Sequence, residues 1–154
     1  MTSSSILRMG AGDAVVYAVG GMTTPRPSVP VVLVVDDDDY VHGTLTAALR
    51  RFKPTIVRAT TAAEGERLAR EHRPDLAIID VGLPDSDGYV LTARLREEPE
   101  LADLRIIILT GHLPDAPAAS AAGADAILGK PFRVQEFLDT VARLLGLTSS
   151  STSG

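Results

Sequence analysis

Five short apolar runs punctuate this chain, at 30–35 (PVVLVV), 55–60 (TIVRAT), 75–80 (DLAIID), 105–110 (RIIILT) and 126–128 (AIL), and a stretch with helical spacing of apolar residues follows each of them. Those stretches are expected as helices over 40–50, 61–72, 88–98, 115–123 and 133–145. Runs this short and continuously apolar suit strands buried on both faces. A helix between successive strands carries the chain back to the same end, so the strands pair in parallel through right-handed crossovers. The expectation is an α/β protein with a doubly wound, five-stranded parallel sheet. In such folds ligands sit beyond the carboxyl ends of the strands.

Those ends are where the polar residues gather. Asp36, Asp37, Asp38 and Asp39 follow the first strand, Asp80 closes the third, Thr110 closes the fourth, and Gly129, Lys130 and Pro131 follow the fifth. The second strand offers no comparable charge at its end. Crowded carboxylates repel and raise one another's pKa. A hard divalent cation such as Mg²⁺ removes that conflict and takes oxygen ligands, waters and phosphate together. A carboxylate can attack phosphorus, while a metal ion and an ammonium neutralise the phosphoryl oxygens. Taken singly, each residue has an ordinary role: an aspartate as a helix cap, a threonine in a turn, a lysine on the surface. The chemical interpretation rests on all of them falling at strand carboxyl ends.

Composition narrows the classes further. Cysteine is absent, which excludes disulfides, thiolate metal sites and cysteine nucleophiles. The formal net charge of −5 gives no general attraction to nucleic acid or anionic membrane. No apolar run approaches the roughly 18 residues of a membrane span, and a cytoplasmic location is expected. Residues 1–30, with Gly10, Gly12, Gly20 and Gly21 and a proline-rich end, are expected as a flexible lead and linker. The domain proper is expected over 31–146 and a disordered tail over 147–154.

The blocks VVLVVDDD (31–38), DLAIIDVGLPDSDG (75–88), IIILT (106–110), AGADAIL (122–128) and KPF (130–132) resemble the receiver domain of two-component response regulators, over about residues 30–146. The resemblance implies a flavodoxin-like (βα)5 fold with sheet order 2-1-3-4-5. It implies Asp80 as phosphoacceptor, with Asp36, Asp37, Asp80 and the Gly82 backbone carbonyl holding Mg²⁺. It implies Thr110 as the hydroxyl that turns toward the phosphoryl group and Lys130 as the family lysine, before a cis-bonded Pro131. Gly111 takes the small position after the threonine, and Pro84 and Gly88 match the loop after the acceptor. The partners implied are a sensor histidine kinase or histidine phosphotransfer protein and a downstream protein target, with a homodimer also admitted. The function expected is that of a single-domain response regulator: a self-phosphorylating, slowly self-dephosphorylating phosphoacceptor rather than an enzyme. A receiver-fold module that binds proteins independently of phosphorylation is the alternative, and a small phosphatase of another Asp-nucleophile family is a more distant one.

Three departures from the family pattern stand out. Ile127 occupies the position, three before the lysine, where the family usually has an aromatic residue. The 20-residue step from Thr110 to Lys130 is about two residues short, in a segment holding Pro114 and Pro117 that is expected to weaken the fourth helix. Asp39 replaces a helix-start proline. These departures touch output, not the phosphorylation residues.

Overall fold

The protein is described here from a computed structural model, which describes residues 29–147. The expected lead (except Val29 and Pro30) and the tail beyond Leu147 lie outside the described residues. Strands β1 (Val31–Val35), β2 (Thr55–Ala59), β3 (Leu76–Asp80), β4 (Arg105–Thr110) and β5 (Ala126–Gly129) alternate with helices α1 (Asp39–Leu49), α2 (Ala62–His72), α3 (Gly88–Arg96), α4 (Ala116–Ala122) and α5 (Val134–Leu144). All strand pairs are parallel and the order is β2-β1-β3-β4-β5, as expected.

Alternation along each strand divides the core in two, although the runs themselves look uniformly apolar. Leu33 and Val35 of β1, Ile79 of β3 and Ile106 and Ile108 of β4 pack with Leu91 and Leu95 of α3. Their neighbours Val32, Val34, Ile78, Ile107 and Leu109 pack on the other face with Leu45 and Leu49 of α1 and Phe137 and Val141 of α5. Phe137 is fully buried. A side chain of that kind contributes about 1.5–3 kcal/mol by leaving water.

Helix α1 keeps its expected length but starts one residue earlier, at Asp39, while the other four helices are shorter than their expected spans for identifiable reasons. Thr61, Asp115 and Arg133 precede their helices as N-cap residues, and Gly123 and Leu145 lie just past the ends. Helix α3 stops at Arg96 rather than at residue 98, because Glu98 precedes Pro99 and is held extended at ψ 115°. Pro117 does not weaken α4: it sits in the first turn, where its missing N–H has no partner to lose. The positive φ of Gly123, 100°, ends α4.

The chain passes from β1 outward to β2 and then back across to β3 on β1's other side. The crossovers on either side of β1 diverge, leaving a crevice above the carboxyl ends of β1 and β3. Asp36 and Asp80 lie at that crevice.

Candidate functional site at the carboxyl rim of the sheet

The four consecutive aspartates do four different things. Asp36 is 1% exposed, its backbone N–H donates to the Ala59 carbonyl at 3.0 Å, and its Oδ1 accepts the Asp38 N–H at 2.8 Å. Asp37 is exposed, with a carboxylate oxygen in a cluster with those of Asp36 and Asp80, all within 4.8 Å of one another. Asp38 caps α1, accepting the N–H groups of Tyr40 (2.8 Å) and Val41 (3.2 Å). Asp39 pairs with Arg58 at 2.8 Å. The ordinary cap role and the chemical role are thus both present, divided among neighbours.

Asp80 ends β3 nearly buried, and Lys130 Nζ donates to its Oδ1 at 2.6 Å while lying 3.9 Å from Asp36 Oδ2. The lysine's own N–H donates to the Thr110 carbonyl at 2.6 Å, which ties its backbone to the end of β4; the Lys130–Pro131 bond is cis. Thr110 is buried and its hydroxyl oxygen accepts the His112 N–H at 3.0 Å, which holds the turn leaving β4 over the site. Gly82 lies beside the Asp80 carboxylate, close enough that a Cβ there would stand 3.5 Å from Oδ2. Gly88 is required more strictly, since a Cβ would come within 2.4 Å of the Asp80 carbonyl oxygen. At Gly111 a Cβ would touch nothing within 4 Å, so packing does not demand glycine there. Ile127 is half-buried against the core cluster on the α3 side, where it fills space as an aliphatic side chain.

The electrostatics follow from crowding. Burial pushes the Asp36 carboxyl up; the Asp38 N–H opposes this, the charges of Asp80 and Asp37 add to it and Lys130 counters them. Burial alone would lower Lys130, but its hydrogen bond to Asp80 and the charges of Asp80 and Asp36 outweigh it, and its pKa is raised. Among the described residues, Asp36 Oδ2 is buried without a hydrogen-bond partner. An orphaned anionic oxygen facing two more carboxylates is a costly arrangement for a protein alone. Together these oxygens fit a hard divalent cation.

Two polar residues at this rim are absent from the sequence-derived site. Arg58, the penultimate residue of β2, reaches Asp39 and also donates to the Asp36 carbonyl at 3.5 Å. A charged residue inside a strand, in phase with the half-buried Ile56, was the available signal. Asp85 sits in the loop after β3 and accepts the N–H groups of Ala62 and Ala63 across the groove to α2. No sequence pattern marks that contact, because its partners are 22 and 23 residues away.

Residues 32–142 match the response regulator receiver domain family. The chain is 34% identical over 121 residues to the DNA-binding dual master transcriptional regulator RpaA of Synechocystis, covering 77% of this chain and 50% of that protein. It spans about half the length of the curated relatives it matches. The signal receiver domain of a signal transduction histidine kinase from Syntrophus aciditrophicus superposes with a TM-score of 0.71 at 29% identity, covering 82% of this chain and 97% of that one. The receiver domain of sensor histidine kinase PA1611 from Pseudomonas aeruginosa, solved with a magnesium ion coordinated in its active site cleft, gives 0.69 at 27% identity over 77% of this chain and 98% of that one. With the sheet order, the acidic cluster and this match over most of its length, the chain belongs to the response regulator receiver domain family.

Proposed function

We propose that this receiver domain takes a phosphoryl group onto Asp80 from the phosphohistidine of a sensor kinase or phosphotransfer protein. The observation that carries the proposal is the Asp80 carboxylate held by Lys130 Nζ at 2.6 Å inside an otherwise anionic pocket. Asp36, Asp37, Asp80 and the Gly82 carbonyl would hold Mg²⁺, which when bound offsets the carboxylate charge and that of the incoming phosphoryl oxygens. A carboxylate oxygen of Asp80 forms the bond to phosphorus as the phosphorus–nitrogen bond to the donor imidazole breaks, leaving an acyl phosphate and a neutral histidine. Lys130 is placed to follow the charge from the carboxylate to the phosphoryl oxygens. Among the described residues the Thr110 hydroxyl only accepts, from the His112 N–H, so its proton would be available to one of those oxygens. Among the described residues, no histidine or carboxylate beyond the acidic cluster is hydrogen-bonded to Asp80 as a general base, consistent with slow loss of the phosphoryl group. Output passes to a protein partner by a shift between two states of the face around residues 105–132.

Among the described residues, no helix is long and apolar enough to cross a membrane. The test is intact-mass measurement after incubation with phosphoramidate and Mg²⁺, with Asp80→Asn and an EDTA control alongside. One labile phosphoryl group, absent from both controls, supports the proposal. An unmodified, folded protein in the presence of Mg²⁺ would refute it in favour of phosphorylation-independent binding.

A further inference from the structure

Resting on the metal site proposed above, we propose that Asp85 is a positioning residue that sets the Gly82 carbonyl by tying the loop after β3 to the N-terminus of α2. The first turn of α2 has donors that its own residues only partly satisfy. Thr61 Oγ1 accepts from the Glu64 N–H at 3.0 Å, and Glu64 Oε1 in return accepts from the Thr60 N–H at 2.9 Å. This arrangement, in which Glu64 reaches one residue past the N-cap Thr61, leaves the N–H groups of Ala62 and Ala63 without a partner from within the helix. Asp85 takes both, one with each carboxylate oxygen, at 2.7 Å (Oδ1 to Ala62) and 3.0 Å (Oδ2 to Ala63). Those bonds also hold its carboxyl below its ordinary pKa.

What the tie acts on is the loop itself. At its base the loop is closed: Leu83 and Gly88 both donate to the Val81 carbonyl, at 3.1 and 2.9 Å, and Gly82 bridges Asp87. Asp87 caps α3 through the Tyr89 N–H, and Leu83 is buried in the core. The span between those anchors is short, and Pro84, Asp85 and Asp87 are exposed. Asp85 fixes the far side of this span against α2, and α2 packs on β1 through Gly65, where a Cβ would come within 3.0 Å of a Val35 methyl. The chain of contacts therefore runs from the β1 end that carries Asp36, through α2, to the loop that carries Gly82. Both halves of the metal site are referred to the same helix, and a shift in the loop moves Gly82 relative to Asp36 and Asp37. A ligand carbonyl held in this way needs no ordering when the ion arrives.

The comparison uses the whole chain with Asp85→Ala, Asp85→Asn and Asp37→Ala. Mg²⁺ binding is measured by calorimetry, amide hydrogen exchange by mass spectrometry, and phosphorylation by phosphoramidate across a Mg²⁺ series. Asp85→Ala is expected to weaken Mg²⁺ binding about tenfold, with faster exchange over 81–87 and an unchanged phosphorylation rate once Mg²⁺ saturates. Asp85→Asn keeps one acceptor oxygen and falls between Asp85→Ala and the wild type, and it carries the comparison if the alanine variant is poorly folded. Asp37→Ala loses binding without faster exchange over 81–87. Faster exchange confined to Ala62–Glu64, with Mg²⁺ affinity unchanged, would show that Asp85 is only a helix cap and overturn the inference. A wild-type protein that binds no Mg²⁺ would instead overturn the metal site, and the inference with it.

Discussion

Replacing Asp36 by asparagine tests whether the acidic pocket is built for a cation, because the sign of its effect depends on whether Mg²⁺ is present. Asp36 is 1% exposed, and its Oδ2 has no hydrogen-bond partner among the described residues. The oxygens of Asp36 and Asp80 are no more than 4.8 Å apart, a repulsion of about 3.5 kcal/mol at an effective dielectric of about 20. Lys130 at 3.9 Å returns about 4 kcal/mol on the same scale. Asp37, whose oxygen lies within the same 4.8 Å but faces solvent, adds to the repulsion. Lys130 therefore offsets about one of the two carboxylates, and the cost of burying the charge, reduced by the Asp38 N–H bond, adds to what remains. An asparagine carbonyl keeps that bond and removes the buried charge. Without Mg²⁺ the variant should gain about 1–2 kcal/mol, raising Tm by about 4–8 °C for a domain of this size. With Mg²⁺ at about a hundred times its Kd, the wild type gains about 2.7 kcal/mol that the variant largely lacks, and the order reverses. Thermal unfolding followed by circular dichroism, in EDTA and then in Mg²⁺, reads both halves. A variant less stable than wild type in EDTA, or one stabilised equally by Mg²⁺, would refute the reasoning.

Three further outcomes are expected. Gly88→Ala sets a Cβ 2.4 Å from the Asp80 carbonyl and 2.9 Å from Val81 Cα, both backbone, and should cost about 2–3 kcal/mol, whereas Gly43→Ala in α1, with nothing within 4 Å, should gain about 0.5–1 kcal/mol; chemical denaturation compares the two, and equal effects would contradict the packing at Gly88. Lys130→Met should leave the pocket more anionic, tightening Mg²⁺ binding several-fold while lowering the phosphorylation rate by about tenfold or more; calorimetry and phosphoramidate labelling separate these, and weaker Mg²⁺ binding would count against it. The Asp85 carboxyl has a lowered pKa because it accepts the Ala62 and Ala63 N–H groups, so its contribution is present above its ordinary 3.8 and lost as pH falls through the lower folded value. The stability difference between wild type and Asp85→Asn should therefore shrink as pH drops from about 5 to about 2, and a difference that is flat or growing over that range would contradict the cap.

The strands and helices were legible because burial imposes a period: 30–35, 75–80 and 105–110 read as strands, and their last residues, Asp80 and Thr110, are also the last residues of β3 and β4. The expected spans of α2, α4 and α5 ran one or two residues long because cap residues such as Thr61 and Asp115 belong to the same sequence motif as the helices they start. Arg58 was harder to see. Its role depends on β2 lying next to β1 at the sheet edge, which the alternation of elements leaves undetermined. Asp85 was invisible for the same reason, being paired with a helix start more than twenty residues away. The division of labour along Asp36–Asp39 also needed coordinates, since four identical side chains differ only in the direction the backbone gives each.

Local periodicity and the polarity of parallel strands are enough to set the alternating βα architecture and which polar residues stand at strand ends. Which of those residues meet depends on how the strands are ordered in the sheet. Lys130 reaches Asp80 across 50 residues of chain, and Asp36 joins them, because β3 pairs with both β1 and β4 in one sheet. Hydrophobic packing chooses that strand order over the whole core. The carboxylates take the positions it leaves them, and their repulsion makes the pocket ready for a cation.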